Sequence, residues 1–399
     1  MTHGEVLRSL TMAHERLERL EADAAAPVPN LGAALATHPA WQVNARTNKQ
    51  WRLRYDLVLE LRDWVLKNMN VEATKYRGVN KKATPEGRRR KAEQYVTEHL
   101  ALGRMLHAGE PVDPLFTEED FEDESLAHQL APGRYPEFRE QVRGAIKRVL
   151  ELDTARAPEV EWAWVAAELK EKKYNLRRLQ ELQDFLMQVA GSEARPALGK
   201  GPPAITEKII GLILRYMCLA LDSNFHGSVP GSWAQDLPGF VECFASPFNY
   251  KFRRYYSIFE QDREFGSCGN FFLMLDRANG ALPAGRYEMN PPWMNAMYER
   301  LESVIELALE RLPADKDTTL VVIAPDWSDP RWMPSWIPGL NRVLKEAPEA
   351  FRRHSVHLNR QLTYEHDVTD VKFKFDTLAW VFSKKPVPEA VMRLFNSKS

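Results

Sequence analysis

Apolar positions recur at helical spacing through roughly the first 220 residues and at strand-like spacing after that, so the chain changes character near residue 225. Glu5 to Ala24 carries Val6, Leu7, Leu10, Leu17 and Leu20 against a charged opposite face, which predicts an amphipathic helix. Lys49 to Met69 gathers Trp51, Tyr55, Val58, Leu61, Trp64 and Val65 on one side and predicts a stronger one. Helical patterns resume over Tyr135–Leu152 and Pro158–Val189. A linker rich in Gly, Pro and Ala spans Gly191–Pro203, and Ala204–Leu221 predicts a very apolar, buried helix.

The second part alternates. Gly239–Ala245, Phe271–Leu275, Arg286–Met289, Thr318–Ala324 and His354–Asn359 are strand-like, and Lys372–Ser383 has the alternation of an edge strand. Helices are expected from Met294 to Leu312 and from Leu340 to Arg353. The unbroken apolar run Thr318–Ala324 marks a strand covered on both faces of a parallel sheet. Strand–helix alternation of this kind predicts a doubly wound α/β sheet behind an all-helical N-terminal domain, with a boundary that gives domains 1–225 and 226–399. Ligands in such sheets sit at the carboxyl ends of the strands. If the strands are parallel, the loops after Ala245, Met289 and Ala324 emerge on one edge and bring Asn249, Asn290 and Asp326 to one crevice.

The stretch Glu288-Met289-Asn290-Pro291-Pro292-Trp293 gives that crevice a chemistry. Two prolines remove two backbone donors, so the turn offers acceptors to a ligand. The Asn290 side-chain oxygen and the Pro291 carbonyl suit an exocyclic amino group, and Trp293 offers a face for the ring that bears it. An ordinary strand-to-helix turn with Pro at the helix start has the same outline. The residues alone leave that choice open.

Composition narrows the surroundings. With 44% hydrophobic and 27% charged residues and a net charge of −1, no global field advertises a nucleic-acid partner, so a basic footprint has to be local. It occurs at residues 75–91, which hold eight Lys or Arg against one Glu. Lys75, Arg77, Lys81, Lys82, Arg88, Arg89 and Arg90 are the candidate phosphate contacts there. Lys251, Arg253 and Arg254, interleaved with aromatics, are candidates in the second part. A basic run also serves as a nuclear-targeting patch, so a nuclear compartment is expected, with the cytoplasm as the alternative. The acidic stretch Thr117–Ser125 suits a helix start. Three cysteines without metal-ligand spacing predict a reducing compartment and no metal site. No apolar run is long enough for a membrane span and no signal peptide is evident.

Four blocks in order resemble the phosphorylated CTD-interacting factor family: Phe240 to Asn249, ending Ser246-Pro247-Phe248-Asn249; Phe265-Gly266-Ser267; Tyr287 to Trp293; and Ile323 to Trp327, with Pro325-Asp326-Trp327. The resemblance covers roughly residues 205–385. It implies a Rossmann-like class I methyltransferase core, packed with the helical domain, that transfers a methyl from S-adenosylmethionine to the N6 of the adenosine beside the mRNA cap (the m6Am mark). It implies that Ser246, Pro247, Phe248, Asn249, Phe265, Gly266, Ser267 and Asn290 hold the donor. Asn290, Pro291, Pro292 and Trp293 would be catalytic, and Asp326 and Trp327 would line the RNA site. Trp293 stands where the family usually has Phe. His366 lies in a poorly matched block. No WW module is visible, which puts recruitment to RNA polymerase in doubt. A DNA adenine methyltransferase, a protein-glutamine methyltransferase and a non-catalytic RNA-binding relative stay open as alternatives.

Overall fold

The computed structural model describes residues 48–68, 89, 92, 96, 130, 131, 133–141, 144, 159–172, 174–219, 227–278, 280–293, 295–312, 317–328, 333–367 and 371–396. The expected helix over Glu5–Ala24 and the acidic stretch Thr117–Ser125 lie outside them, as does the basic run 75–91 apart from Arg89. In chain order the elements are α1 (Asn48–Asn68), α2 (Trp162–Glu171), α3 (Leu176–Val189), α4 (Pro203–Met217), α5 (Gly231–Asp236), β1 (Phe240–Ala245) and β2 (Arg254–Ser257). There follow α6 (Phe271–Arg277), β3 (Arg286–Met289), α7 (Asn295–Arg311), β4 (Thr319–Pro325), α8 (Trp336–Glu346), α9 (Glu349–Arg352), β5 (Val356–His366), β6 (Val371–Ser383) and α10 (Glu389–Asn396). They divide into two compact units. Among the described residues, those within Gln42–Tyr174 and Gly199–Ser223 form one, and those within Asn175–Leu198 and Asn224–Ser399 form the other.

The first unit is helical. Leu57, Val58, Leu61 and Val65 of α1 bury one face against Ala92, Val96, Leu130 and Phe138, the stripe that the apolar spacing predicts. In α4, Ile209, Ile210, Leu212, Ile213 and Leu214 are all buried, as a helix apolar on every side requires. Gly199 has φ +73, and a Cβ there would fall 2.1 Å from the Trp162 ring, so only glycine lets the chain cross that indole.

The helical pattern over Pro158–Val189 resolves into two helices, α2 and α3. Asn175 ends the break by accepting the Arg177 N–H at 2.9 Å, which caps α3. The same residue begins the segment that groups with the sheet, whereas the expected division near residue 225 leaves that segment with the helices.

The second unit is a mixed α/β unit built on a six-stranded sheet ordered β2-β1-β3-β4-β6-β5. β2, β1, β3 and β4 pair in parallel, and β6 runs antiparallel to both β4 and β5. All seven residues of β4 are buried, matching its apolar run and its place between β3 and β6. On the helical layer Trp336 of α8 stacks on Tyr298 of α7 with ring centroids 4.3 Å apart, and Arg342 of α8 bonds Glu302 and Glu306 of α7.

Three expectations need correction. Phe271–Leu275 is helical, because Asn270 accepts the Leu273 N–H at 3.0 Å and starts a turn. β6 is not an edge strand: it lies between β4 and β5, its apolar half Thr377–Phe382 buried, and β5 takes the edge. The helix expected over Leu340–Arg353 breaks at Pro348, whose ring cannot continue it, into α8 and α9.

Candidate active site

The strand order reverses at β1: β2 lies on one side of it and β3 on the other. The crevice outside the carboxyl ends of such a pair is where open α/β sheets bind ligands. β1, β3 and β4 are parallel, so Ser246, Asn290 and Asp326, which follow them directly, emerge on that one edge.

The loop after β1 is closed on itself. Asn249 Oδ1 accepts from the Ser246 N–H and from the Ser246 hydroxyl, both at 2.8 Å, while Ser246 Oγ accepts the Phe248 N–H at 3.2 Å. These residues and Pro247 are buried, so the loop is rigid before any ligand arrives. Arg178 of α3 braces it from outside. Its Nε donates to the Pro247 carbonyl at 3.1 Å, and its guanidinium lies 4.3 Å from the Tyr250 ring, which stacks in turn on Tyr255. The Arg178 contact escapes sequence reading, since nothing local ties a helical arginine to a carbonyl 69 residues away.

The turn Phe265-Gly266-Ser267 runs beside β2. Phe265 is fully buried and its carbonyl accepts the Tyr255 hydroxyl at 2.9 Å. Gly266 adopts φ +87 to close a 3-10 turn, a conformation that favours glycine. Ser267 Oγ meets Ser257 Oγ at 2.7 Å, at the carboxyl end of β2.

Asn290 is 7% exposed. Its Nδ2 donates to the Gly227 carbonyl at 3.3 Å, which fixes the amide orientation because that carbonyl can only accept. Its Oδ1 is left buried with no hydrogen-bond partner among the described residues. Buried acceptors are rarely left so. Pro291 is buried and Pro292 half-buried. Trp293 is 8% exposed, with Tyr364 edge-on at 5.0 Å and Phe375 tilted at 4.7 Å, so the indole is a wall of the site more than an open platform.

At the end of β4 the Asp326 N–H donates to the Asp376 carbonyl at 2.7 Å and its side chain accepts the Ser328 N–H, leaving the residue half-buried. Trp327 leans edge-on against Trp336 at 5.9 Å.

The basic candidates separate. Lys75, Arg77, Lys81, Lys82, Arg88 and Arg90 lie outside the described residues, and Arg89 is an exposed helical residue. Arg253 and Arg254, where β2 begins, are exposed. Lys251 is committed elsewhere: its Nζ bonds Glu365 at 3.0 Å and Asp367 at 2.8 Å, with its side chain only 11% exposed. Glu365 also accepts from Lys372, and its backbone forms a two-way bridge with Ser228, next to the Gly227 carbonyl that orients Asn290. Against the effect of its partial burial, the two lysines hold the Glu365 carboxyl down at about 2, so that carboxylate stays charged through the neutral range.

Two carboxyls in the sheet carry a signal that a strand reading passes over: Glu242 and Glu288 each interrupt an apolar strand, and charged side chains are seldom buried there. They are register partners on β1 and β3, 3% and 1% exposed. Glu242 Oε2 accepts the N–H groups of Lys251 (2.8 Å) and Phe252 (3.2 Å). Burial nevertheless pushes its carboxyl up to about 7. Neither oxygen of Glu288 has a hydrogen-bond partner among the described residues; burial, and then the neighbouring Glu242, hold it well above the ordinary carboxylate range.

The unfolded chain releases the Glu242 proton near the ordinary value of 4.5 and the folded chain holds it to about 7, so stability is greatest below that window and declines as pH rises through it. The slope approaches about 1.4 kcal/mol per pH unit per proton. Urea denaturation across the window is expected to show the decline, and Glu242→Gln to flatten it. A wild-type profile parallel to that of the variant would contradict the assignment.

Among the described residues no group of three or more His, Cys, Asp or Glu side chains is placed to hold a metal ion, and no helix is long and apolar enough to cross a membrane.

Residues 204–340 match the family model described as "Phosphorylated CTD interacting factor 1 WW domain". That match contradicts the expectation that no WW domain is visible in this chain; the matched residues fold here as α4 through β4 and into α8. A human protein named "mRNA (2'-O-methyladenosine-N(6)-)-methyltransferase" is 35% identical over 127 residues, which is 32% of this chain and 15% of the relative. The mouse protein of the same name is 33% identical over 131 residues, again 32% of this chain and 15% of the relative. The chain thus spans about 15% of the length of the curated relatives it matches. The family match, taken by itself, holds the loop at Ser246–Asn249, the turn at Phe265–Ser267, the Asn290–Trp293 turn and Asp326–Trp327, and it supports a relationship to the phosphorylated CTD-interacting factor family over the segment that builds the crevice.

Proposed function

We propose that this chain is an S-adenosylmethionine-dependent methyltransferase that acts on the N6 amino group of adenosine in RNA, at the cap-adjacent nucleotide of mRNA. The observation that carries the reading is the Asn290 side-chain oxygen: it is buried, has no hydrogen-bond partner among the described residues, and stands at the strand-order reversal. The names of the human and mouse relatives support the same chemistry. On this reading the sheet, four parallel strands followed by an antiparallel β6, is a Rossmann-like class I core, and residues 1–225 form a helical domain that contributes to RNA binding.

The residues present fit the methyl donor. S-adenosylmethionine supplies an electrophilic methyl on a sulfonium and has no phosphates, so it needs no glycine-rich anion cradle. Ser246–Asn249, rigid and held by Arg178, and Phe265–Ser267 would hold it, with Asn290 at the methyl. The adenine amino group is a poor nucleophile because its lone pair is delocalised into the ring. Asn290 Oδ1 and the Pro291 carbonyl accept its two hydrogens and draw the nitrogen toward sp3, which frees the lone pair. A donor bound there would supply the methyl to that nitrogen and leave as the neutral thioether, and the surplus amine proton would pass to water. Orientation and charge placement supply most of the acceleration. Trp293 bounds the adenine, which has to be unstacked to enter. Asp326 and Trp327, with Arg253 and Arg254, would line the RNA site, and the basic run at 75–91 supplies further candidate phosphate contacts.

The test is a labelled-donor assay with capped RNA, uncapped RNA and DNA oligonucleotides, each beginning with adenosine. Transfer to N6 of the capped RNA above the other two is expected. Preference for DNA would replace the substrate assignment, and no transfer to any of the three would overturn the reading.

A further inference from the structure

We propose that Glu288 is a specificity-determining partner of Asn290: Asn290 accepts from the adenine amino group while the Glu288 carboxyl donates to a ring nitrogen beside it, N1 or N7. The inference rests on the function proposed above and names how that site reads its base.

The two residues are adjacent on one strand end. Asn290 follows β3 directly and stands two residues beyond Glu288, the spacing that puts side chains of an extended chain on one face. Both are more than nine-tenths buried, and both hold polar atoms with no hydrogen-bond partner among the described residues: Oδ1 of Asn290 and both oxygens of Glu288. Two neighbouring side chains left in this way mark a place where a ligand supplies the missing bonds. The same elements surround both. Asn290 is oriented through Gly227, whose neighbour Ser228 is bridged to Glu365; Tyr364, next in β5, packs on Trp293 and lies within electrostatic range of Glu288.

The protonation state that the proposal needs follows from the neighbours. Among the described residues, the titratable side chains that interact electrostatically with Glu288 are Glu242 and Cys243 on β1, Tyr298 on α7 and Tyr364 on β5, and none of these is a cation. A carboxylate there would be buried without compensation, so the neutral acid is the stable form. A neutral carboxyl has an O–H to donate, and enzymes use a buried acid in that way. Acceptor and donor side by side match a base that shows an amino group next to a bare ring nitrogen. Guanine, with a carbonyl at that position and a protonated N1, presents the reverse pattern on its Watson–Crick edge.

The test compares wild type, Glu288→Gln and Glu288→Ala on RNA whose target is adenosine, 1-deazaadenosine or 7-deazaadenosine, with melting temperature and donor affinity read alongside. Gln keeps a neutral donor, and kcat/KM is expected to stay within about tenfold of wild type; Ala is expected to lose about 100-fold on adenosine. One of the two deaza substrates should cost the wild type a similar factor and cost Glu288→Ala little more, which also identifies the ring nitrogen. Losses that multiply for both analogues, or a folded Glu288→Gln protein as impaired as Glu288→Ala, would overturn the pairing. A wild-type protein that methylates adenosine while both variants match it also overturns the pairing and leaves the function standing. No transfer by the wild type removes both.

Discussion

Replacing Asn290 with alanine is expected to lower methyl transfer by about 1,000-fold, a loss of the size seen when a site loses a group aimed at the developing charge. Donor affinity is expected to stay within about threefold, because the donor loops are braced by contacts that Asn290 does not make. Ser246, Asn249 and Arg178 hold one another without it. The substitution also removes the amide that donates to the Gly227 carbonyl. That carbonyl stays beside the Ser228–Glu365 bridge, which limits the disturbance to the segment before α5. Donor binding by calorimetry and turnover on adenosine-initiated RNA separate the two effects. Turnover within about tenfold of wild type would remove Asn290 from the chemistry.

Trp336→Ala is expected to cost about 3–5 kcal/mol of stability, the usual range for emptying a buried aromatic site. The indole is fully buried, stacked on Tyr298, and edge-on to Trp327 and Trp380. No small shift refills so large a space between α7, α8 and the sheet. The loss reaches the site through Trp327, whose ring rests on Trp336 at the carboxyl end of β4. Urea denaturation measures the first effect. A rise in KM for RNA, with donor affinity held, measures the second. A midpoint unchanged from wild type would mean that the cluster contributes nothing.

The parts of this molecule legible in the sequence are those where one local rule decides. β4 is a continuous apolar run because both its faces are covered, and β1 and β3 end where a proline-containing turn follows, so three strand ends and the crevice they share could be placed in advance. Phe271–Leu275 could not. Five apolar residues fit a strand or a buried helix equally, and the cap supplied by Asn270 decides between them. The alternation that reads as an edge strand in the first half of β6 belongs to its hairpin with β5, while its second half lies under α8 and beside β4. Lys251 looks like a phosphate contact until Glu365 and Asp367, more than a hundred residues further on, are folded against it. Glu242 and Glu288 were visible as acids in apolar strands, yet only the register that sets them side by side gives them meaning.

The place of β6 has a consequence for how the protein is made. β4, apolar along its whole length, is completed on one side by β3, about thirty residues earlier, and on the other by β6, where Thr319 pairs with Ser383. A nascent chain therefore presents β4 well before its second neighbour has left the ribosome. Non-local pairing of this kind is slow, and an uncovered apolar strand is prone to wrong partners during the delay. Synthesis of residues 371–383 is the step that releases the sheet from that hazard, and chains interrupted before it are the ones a chaperone would have to hold.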